Sequence, residues 1–191
     1  MKKWLWMVLL VAACTPKIPP AGEQKIVEPL PPSPAAVLVN EGLELARDGE
    51  YLDAIGRLRD AVAADANFAE AHARLGILYR RVGDLDQAHE ALGKALKIQP
   101  KNSEYLYAMG TVLFDQDDYR RAEKAFRQSW AEDGRLTSLF SLAETYLRQG
   151  KESQAADAWR EYLRRDADSV WGREAAKRLE ELSAEDDPRG R

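Results

Sequence analysis

Apolar positions recur along residues 69–102 with the spacing of two short amphipathic helices. Residues three and four apart lie on one face of a helix, so a stripe at this spacing predicts a buried side. In the first helix the stripe is formed by His72, Leu75, Gly76 and Tyr79. Gly83 is expected to end that helix, since glycine adopts a left-handed conformation at little steric cost. The second helix carries Leu85, Ala88, Leu92, Ala95 and Leu96 and ends before Pro100.

Two short helices cannot bury such a stripe alone, so similar neighbours are needed. The pattern recurs 34 residues earlier, 34 residues later, and once more one residue out of step. The earlier copy has Gly42, Leu45, Gly49, Ala54 and Ala61. The later copies have Gly110, Leu113, Tyr119, Ala122 and Phe126, then Leu142, Ala143, Tyr146, Gly150, Ala155 and Trp159. The chain is therefore predicted to stack four helical pairs.

The repeat resembles the tetratricopeptide repeat (TPR), through Leu75-Gly76 with Tyr79 and through Ala88 with Leu92. The resemblance implies an all-α, right-handed solenoid of about four helix-turn-helix repeats and a C-terminal capping helix. The repeats are placed at about 35–68, 69–102, 103–135 and 136–169, the capping helix at 170–183 and a polar tail at 184–191.

Helix starts follow from the same pattern. First helices are expected from Ala35, Ala69, Ser103 and Leu136, and second helices from Tyr51, Leu85, Tyr119 and Ser153. The capping helix is expected to cover the end of the stack with Trp171, Ala175, Ala176, Leu179 and Leu182. Its opposite side is expected to be a charged outer face of Arg173, Glu174, Lys177, Arg178 and Glu181.

Residues 1–13 have the layout of an export signal, with Lys2 and Lys3 before an uncharged stretch that is too short to span a bilayer permanently. The sequence up to Cys14 resembles the bacterial lipobox, whose cysteine receives a lipid before the signal is removed. The alternative is a free cysteine after an ordinary signal or a membrane anchor. By this resemblance Cys14 carries acyl chains, palmitate among them, and Thr15 favours the periplasmic face of the outer membrane.

Residues 14–34 hold most of the chain's prolines and are predicted to be an extended spacer after the lipid. A ligand for a proline-recognition domain is the alternative.

Composition and motifs argue against catalysis. The formal charge of −4 gives no reason to expect nucleic acid. His72 and His89 lie on different helices, and Asp115, Asp117 and Asp118 lack the glycine and glutamate of a calcium loop. No phosphate-binding loop or nucleophile motif occurs. We therefore expect no enzymatic activity, metal, cofactor or small-molecule substrate.

The first helices also present residues offset from the buried stripe, and in TPR proteins these positions line a concave groove. The resemblance selects as groove residues Asn40, Leu43, Arg74, Ile77, Tyr107, Thr111, Phe114, Phe140, Glu144 and Arg148. A wider set includes Val39, Ala73 and Ala108. Leu43 and Ile77 stand where a carboxylate-binding TPR groove has asparagine or lysine, so an apolar peptide or amphipathic helix is the expected ligand. Alternatively, some of these residues pack against neighbouring repeats or the linker.

Together, these features resemble TPR lipoproteins such as the pilotins of type IV pilus secretins and components of gliding-motility and secretion machines. The implied function is a scaffold that binds a protein partner and carries it to the outer membrane. An adaptor for peptidoglycan enzymes or for outer-membrane protein assembly fits the sequence equally well.

Overall fold

The computed structural model describes residues 32–185, and these residues form nine α-helices and no strand. The predicted signal, Cys14 and the tail from residue 186 lie outside the described residues, as does the spacer up to residue 31. The helices are α1 Pro34–Arg47, α2 Tyr51–Ala64, α3 Ala69–Arg81, α4 Leu85–Ile98, α5 Ser103–Asp115, α6 Tyr119–Asp133, α7 Leu136–Arg148, α8 Glu152–Arg165 and α9 Val170–Glu185. The all-α prediction is confirmed.

The helix starts agree with the sequence pattern to within one residue. Helix α1 begins at Pro34, one residue before the predicted Ala35, so the last residue assigned to the spacer occupies the first turn of α1. Proline is favoured there because its missing N–H has no partner in a first turn anyway. The Ser33 hydroxyl accepts a hydrogen bond from the Ala36 N–H at 3.2 Å, which caps the helix.

The turn between the two helices of each repeat contains one residue whose backbone is in the left-handed conformation, with a positive φ. Gly83 has φ of +86° between α3 and α4, and Asp117, one repeat later, has φ of +59°. Aspartate tolerates this region better than most side chains do. The acidic cluster around Asp117 thus has a structural role in the turn.

The helices stack in chain order, each against its neighbour. The inner helices α1, α3, α5 and α7 also contact one another in series, whereas contacts of that extent between α2, α4, α6 and α8 are absent from residues 32–185. The stack must therefore bend towards the inner helices. The side of each inner helix that faces away from its paired helix lies on the concave surface of the stack. The TPR resemblance predicts the groove on this surface.

Close packing within each repeat depends on a small residue on the inner helix. A Cβ atom added to Gly76 would lie 2.5 Å from Leu92 Cγ and 3.0 Å from the Ala88 carbonyl oxygen. A Cβ atom on Gly110 would lie 2.6 Å from the ring of Phe126. These approaches leave no space for a side chain, so the glycines set the distance between the paired helices.

Gly76→Ala is expected to destabilise the fold, because overpacking costs about 1–3 kcal/mol and outweighs the gain in helix propensity of about 0.5–1 kcal/mol. Gly93→Ala in α4 is the matched control, since its Cβ would meet nothing within 4 Å. The control should raise the unfolding free energy, as measured by urea denaturation followed by circular dichroism. Equal effects of the two substitutions would contradict the close approach at Gly76.

The two ends of the stack differ from its middle. Glu41 and Glu44 of α1 are exposed, whereas the residues 34 positions later, Leu75 and Leu78, are buried. Glu41 instead forms an ion pair with Arg57 at 3.5 Å. This face of α1 is therefore polar where the equivalent face of α3 is apolar and buried.

Helix α9 packs against α8 with Ala175 fully buried and with Leu179 and Leu182 partly buried. The expectation that Trp171 covers the end of the stack is wrong, because 56% of this residue is exposed. Trp171 lies in the first turn of α9, and its ring packs edge-on against Phe140 at 5.2 Å between centroids. It therefore lies beside the concave surface.

Candidate partner-binding groove

A row of equivalent positions crosses the inner helices and forms the floor of the concave surface. Leu43, Ile77, Thr111 and Glu144 are all partly buried, one on each of α1, α3, α5 and α7. Because these helices contact one another in order, the four side chains lie side by side along the stack. We call this surface the groove. Its first half is aliphatic and its second half is polar.

Three aromatic residues flank the row in the second half of the groove, and each is held by a second ring. Tyr107 lies 5.7 Å from Phe126, Phe114 lies 5.3 Å from Tyr119, and Phe140 lies 5.9 Å from Tyr162, measured between ring centroids. The three groove rings are only partly buried. Edge-on and tilted pairs fix the ring orientation while leaving part of each ring open to a ligand.

Charged groups at the groove are mostly paired with one another. The Arg74 guanidinium lies 3.3 Å from a Glu70 carboxylate oxygen and 3.2 Å from a Glu104 carboxylate oxygen. Burial raises the pKa of the Glu144 carboxyl group, while the nearby charges of Arg178 and Arg148 act in the opposite direction. The Arg178 Nε atom lies 3.6 Å from Glu144 Oε1, so the row of floor residues continues onto α9.

Two predicted groove residues lie near its edges with exposed side chains. Asn40 is exposed on α1, and Arg148 is exposed at the end of α7. The Arg148 guanidinium lies over the ring of Phe114, with 5.8 Å to the ring centroid. All ten predicted groove residues are thus at least partly exposed, and their role in binding stays a prediction.

The wider set needs correction, because Val39, Ala73 and Ala108 are buried. An inner helix contacts its paired helix and the inner helices on either side, so it buries a broader arc than a single apolar stripe. Only residues facing away from all of these neighbours can reach a ligand.

Helix α9 contributes groove residues beyond those predicted from the four repeats. Arg178, which the sequence pattern places on the charged outer face, contacts Glu144 and Glu174. A step of 34 residues from Phe140 leads to Glu174, and the same step from Glu144 leads to Arg178. Extending the repeat period past the fourth copy would have identified both residues.

Groups that suggest chemistry have structural roles here. The His72 ring is buried and its Nε2 lies 3.0 Å from the Ala66 carbonyl oxygen. His89 Nε2 lies 3.1 Å from the Arg121 guanidinium. Within the described part of the chain, no three histidine, cysteine or acidic residues are grouped as metal ligands would be. The helices in that part are also too short or too polar to cross a bilayer.

Comparisons with known proteins agree with this architecture. Two models of the tetratricopeptide repeat match residues 45–111 and 107–170. No curated protein matches the sequence at a significant level.

Similar solved structures include PilF from Pseudomonas aeruginosa, with 23% identity and a TM-score of 0.72 over 79% of this chain and 68% of that one. MamA from Desulfovibrio magneticus RS-1 has 19% identity and a TM-score of 0.67 over 80% and 97% of the two chains. YrrB, described as a TPR protein with an unusual peptide-binding site, has 18% identity and a TM-score of 0.67 over 79% and 77%. At these identities the likeness concerns the fold.

Proposed function

The chain belongs to the tetratricopeptide repeat family, and from this premise we propose that it is a lipid-anchored scaffold that holds a protein partner in its groove at the bacterial outer membrane. The repeats form an interaction scaffold, as in the family at large. The finer parts of the proposal concern the ligand, the anchor and the machine that the scaffold serves.

The observation that carries the proposal is the partly exposed apolar and aromatic surface along the inner helices. Leu43 and Ile77 are followed along the stack by the rings of Tyr107, Phe114 and Phe140. The Arg74 charge in this run is paired with Glu70 and Glu104, and Glu144 lies near Arg178. A run of apolar groups held open to solvent on a rigid concave surface favours a complementary apolar ligand. A single amphipathic helix or an extended apolar peptide has the right chemistry to cover it.

The anchor rests on the sequence of residues 1–14, where a short uncharged stretch leads to Cys14. Acylation at Cys14 would attach the scaffold to a membrane, because each buried methylene of an acyl chain contributes about 0.8 kcal/mol. Residues 15–33 would then act as the spacer between lipid and repeats. We place the protein at the periplasmic face of the outer membrane on the basis of Thr15.

For the machine, we propose an assembly of type IV pilus, gliding-motility or secretion components. The resemblance to short TPR lipoproteins of these systems supports the proposal. We also propose that the protein is not an enzyme, since its polar clusters cap helices, form turns or pair with neighbours. Its effect on a partner would then depend on binding and location alone.

The proposal is tested by substituting Tyr107 and Phe140 with alanine and comparing cross-linked partners in intact cells. We expect loss of captured pilus, gliding or secretion components, because both rings contribute exposed surface to the groove. Both rings also pack against core aromatics, so Thr111→Arg serves as a second variant that keeps the rings and places a charge on the floor.

Leu52→Ala is the matched control, since Leu52 is 78% exposed on α2, away from the groove. Undiminished capture by both groove variants would contradict binding in the groove. A different result is that the wild type captures peptidoglycan enzymes or outer-membrane assembly factors that both groove variants fail to capture. That result would support the scaffold function and contradict the proposed pilus, gliding or secretion machine.

A further inference from the structure

A second concavity lies next to the groove, where the α5–α6 turn approaches the α7–α8 turn. We call it the turn pocket. It has a volume of about 640 Å³ and is lined by Asp117, Asp118, Tyr119, Arg120, Arg148, Gln149 and Lys151. Arg148 belongs to both the groove and the turn pocket. A ligand lying in the groove can therefore place a side chain in the pocket without leaving the surface.

Most charged groups of the turn pocket are already engaged with a neighbour. A carboxylate oxygen of Asp117 accepts a hydrogen bond from the Tyr119 hydroxyl, and Asp118 accepts one from the Arg121 N–H at 3.1 Å, which caps α6. The Lys151 ammonium donates to a Glu123 carboxylate oxygen at 2.8 Å. The charge of Lys151 is thus paired with Glu123, and that of Asp118 with the Arg121 guanidinium at 3.5 Å, whereas the neutral Tyr119 hydroxyl leaves the negative charge of Asp117 at one side of the pocket.

Arg120 and Arg148 are different. Both are exposed, and within residues 32–185 neither has a carboxylate oxygen within 4 Å. Burial raises the pKa of Glu144, and the hydrogen bond to Asp117 raises the pKa of Tyr119. The charge of Arg148 acts in the opposite direction on both groups, so Arg148 lies near both without forming a close ion pair with Glu144. The pocket therefore presents two guanidinium groups without a carboxylate partner of their own.

An aromatic pair next to the turn pocket positions one of these groups. The Phe114 and Tyr119 rings pack edge-on at 5.3 Å, and the Arg148 guanidinium lies over Phe114. An arginine stacked on a ring still presents the N–H groups at its edge as hydrogen-bond donors. Those donors match the two oxygens of a carboxylate, which arginine can bind in a bidentate way.

We propose that the turn pocket binds an aspartate or glutamate side chain of the segment that occupies the groove. The proposal rests on the proposed function, because it assumes a peptide in the groove. The acidic side chain lies at the edge of the ligand while apolar side chains cover Phe114 and the groove floor. The pocket thus selects apolar segments with an acidic flank over those with a basic flank.

The test selects peptides from a displayed library of random 16-residue sequences on the immobilised full chain. The wild type is compared with Arg120→Glu/Arg148→Glu, and with Lys97→Glu/Lys101→Glu as a control of equal charge change. Lys97 lies in the last turn of α4 and Lys101 in the loop that follows, so both are far along the chain from the turn within a repeat. Both are exposed, and in the described part of the chain neither has a carboxylate oxygen within 4 Å. Selected peptides are then measured by fluorescence anisotropy.

We expect the wild type and the lysine control to enrich apolar peptides with acidic residues, and the arginine variant to enrich basic ones. An acidic wild-type peptide should bind the arginine variant about tenfold more weakly, and the difference should shrink at high salt. Equal acidic content in the peptides selected by all three proteins would contradict acidic side-chain binding in the turn pocket, but it would not contradict ligand binding in the groove. If the wild type enriches no peptide over Thr111→Arg, the proposed function fails, and the inference with it.

Discussion

Trp159→Ala is expected to lower the free energy of unfolding by about 3–5 kcal/mol, the range for removing a large buried aromatic side chain. Trp159 is fully buried on α8. It is the fourth-repeat equivalent of Leu92, the residue against which Gly76 packs, so its ring fills the gap between α7 and α8. Alanine would leave a cavity that the rigid helix pair cannot close. Urea denaturation monitored by circular dichroism measures the loss.

Trp171→Ala is the matched control, since it removes the same side chain from a position that is more than half exposed. Its edge-on contact with Phe140 should make the loss about 1 kcal/mol. Similar losses for the two tryptophans would contradict the assignment of Trp159 to the core and of Trp171 to the edge of the groove.

Cys14→Ala is expected to abolish incorporation of labelled palmitate and to leave the precursor uncleaved at residue 14. The chain has one cysteine, so no other thiol can accept a lipid. Metabolic labelling followed by immunoprecipitation measures the effect. The repeats lie well beyond residue 14, so the purified variant should keep its helical content.

Thr111→Arg provides the control for expression, since it changes the groove and leaves the signal intact. It should be labelled like the wild type. Continued palmitate incorporation into Cys14→Ala would contradict the lipoprotein proposal, and the scaffold would then require a different means of attachment.

The fold was predictable because the repeat period carries most of its information. Gly42, Gly76 and Gly110 recur at the same spacing, and each makes the same close approach to a large residue on the paired helix. A single glycine of this kind would not identify a helical pair. Three glycines at the same repeat position, with Ala143 at that position in the fourth repeat, define the helical pairs and their order.

The groove was only partly predictable, because exposure depends on how many neighbours a helix has. Ala73 and Ile77 are four residues apart and looked equivalent, yet Ala73 is buried and Ile77 is partly exposed. Likewise, the pattern along α9 places Arg178 on the outer face, but Arg178 lies against Glu144 of α7 in the folded chain. Ion pairs between repeats, such as Arg74 with Glu104, cannot be predicted from the residue pattern of one helix, because they depend on how two helices are placed.

The central claim is that the inner surface of the stack holds a protein partner. It is tested most directly by placing a photo-reactive amino acid at exposed inner positions, Asn40 or Arg148, and at exposed outer positions, Lys94 or Lys124. We predict that irradiated cells yield the same cross-linked partner from both inner positions and none from the outer positions. The inner cross-links should also disappear when Thr111→Arg is added. Cross-links from the outer positions alone would contradict the claim and assign binding to the convex surface.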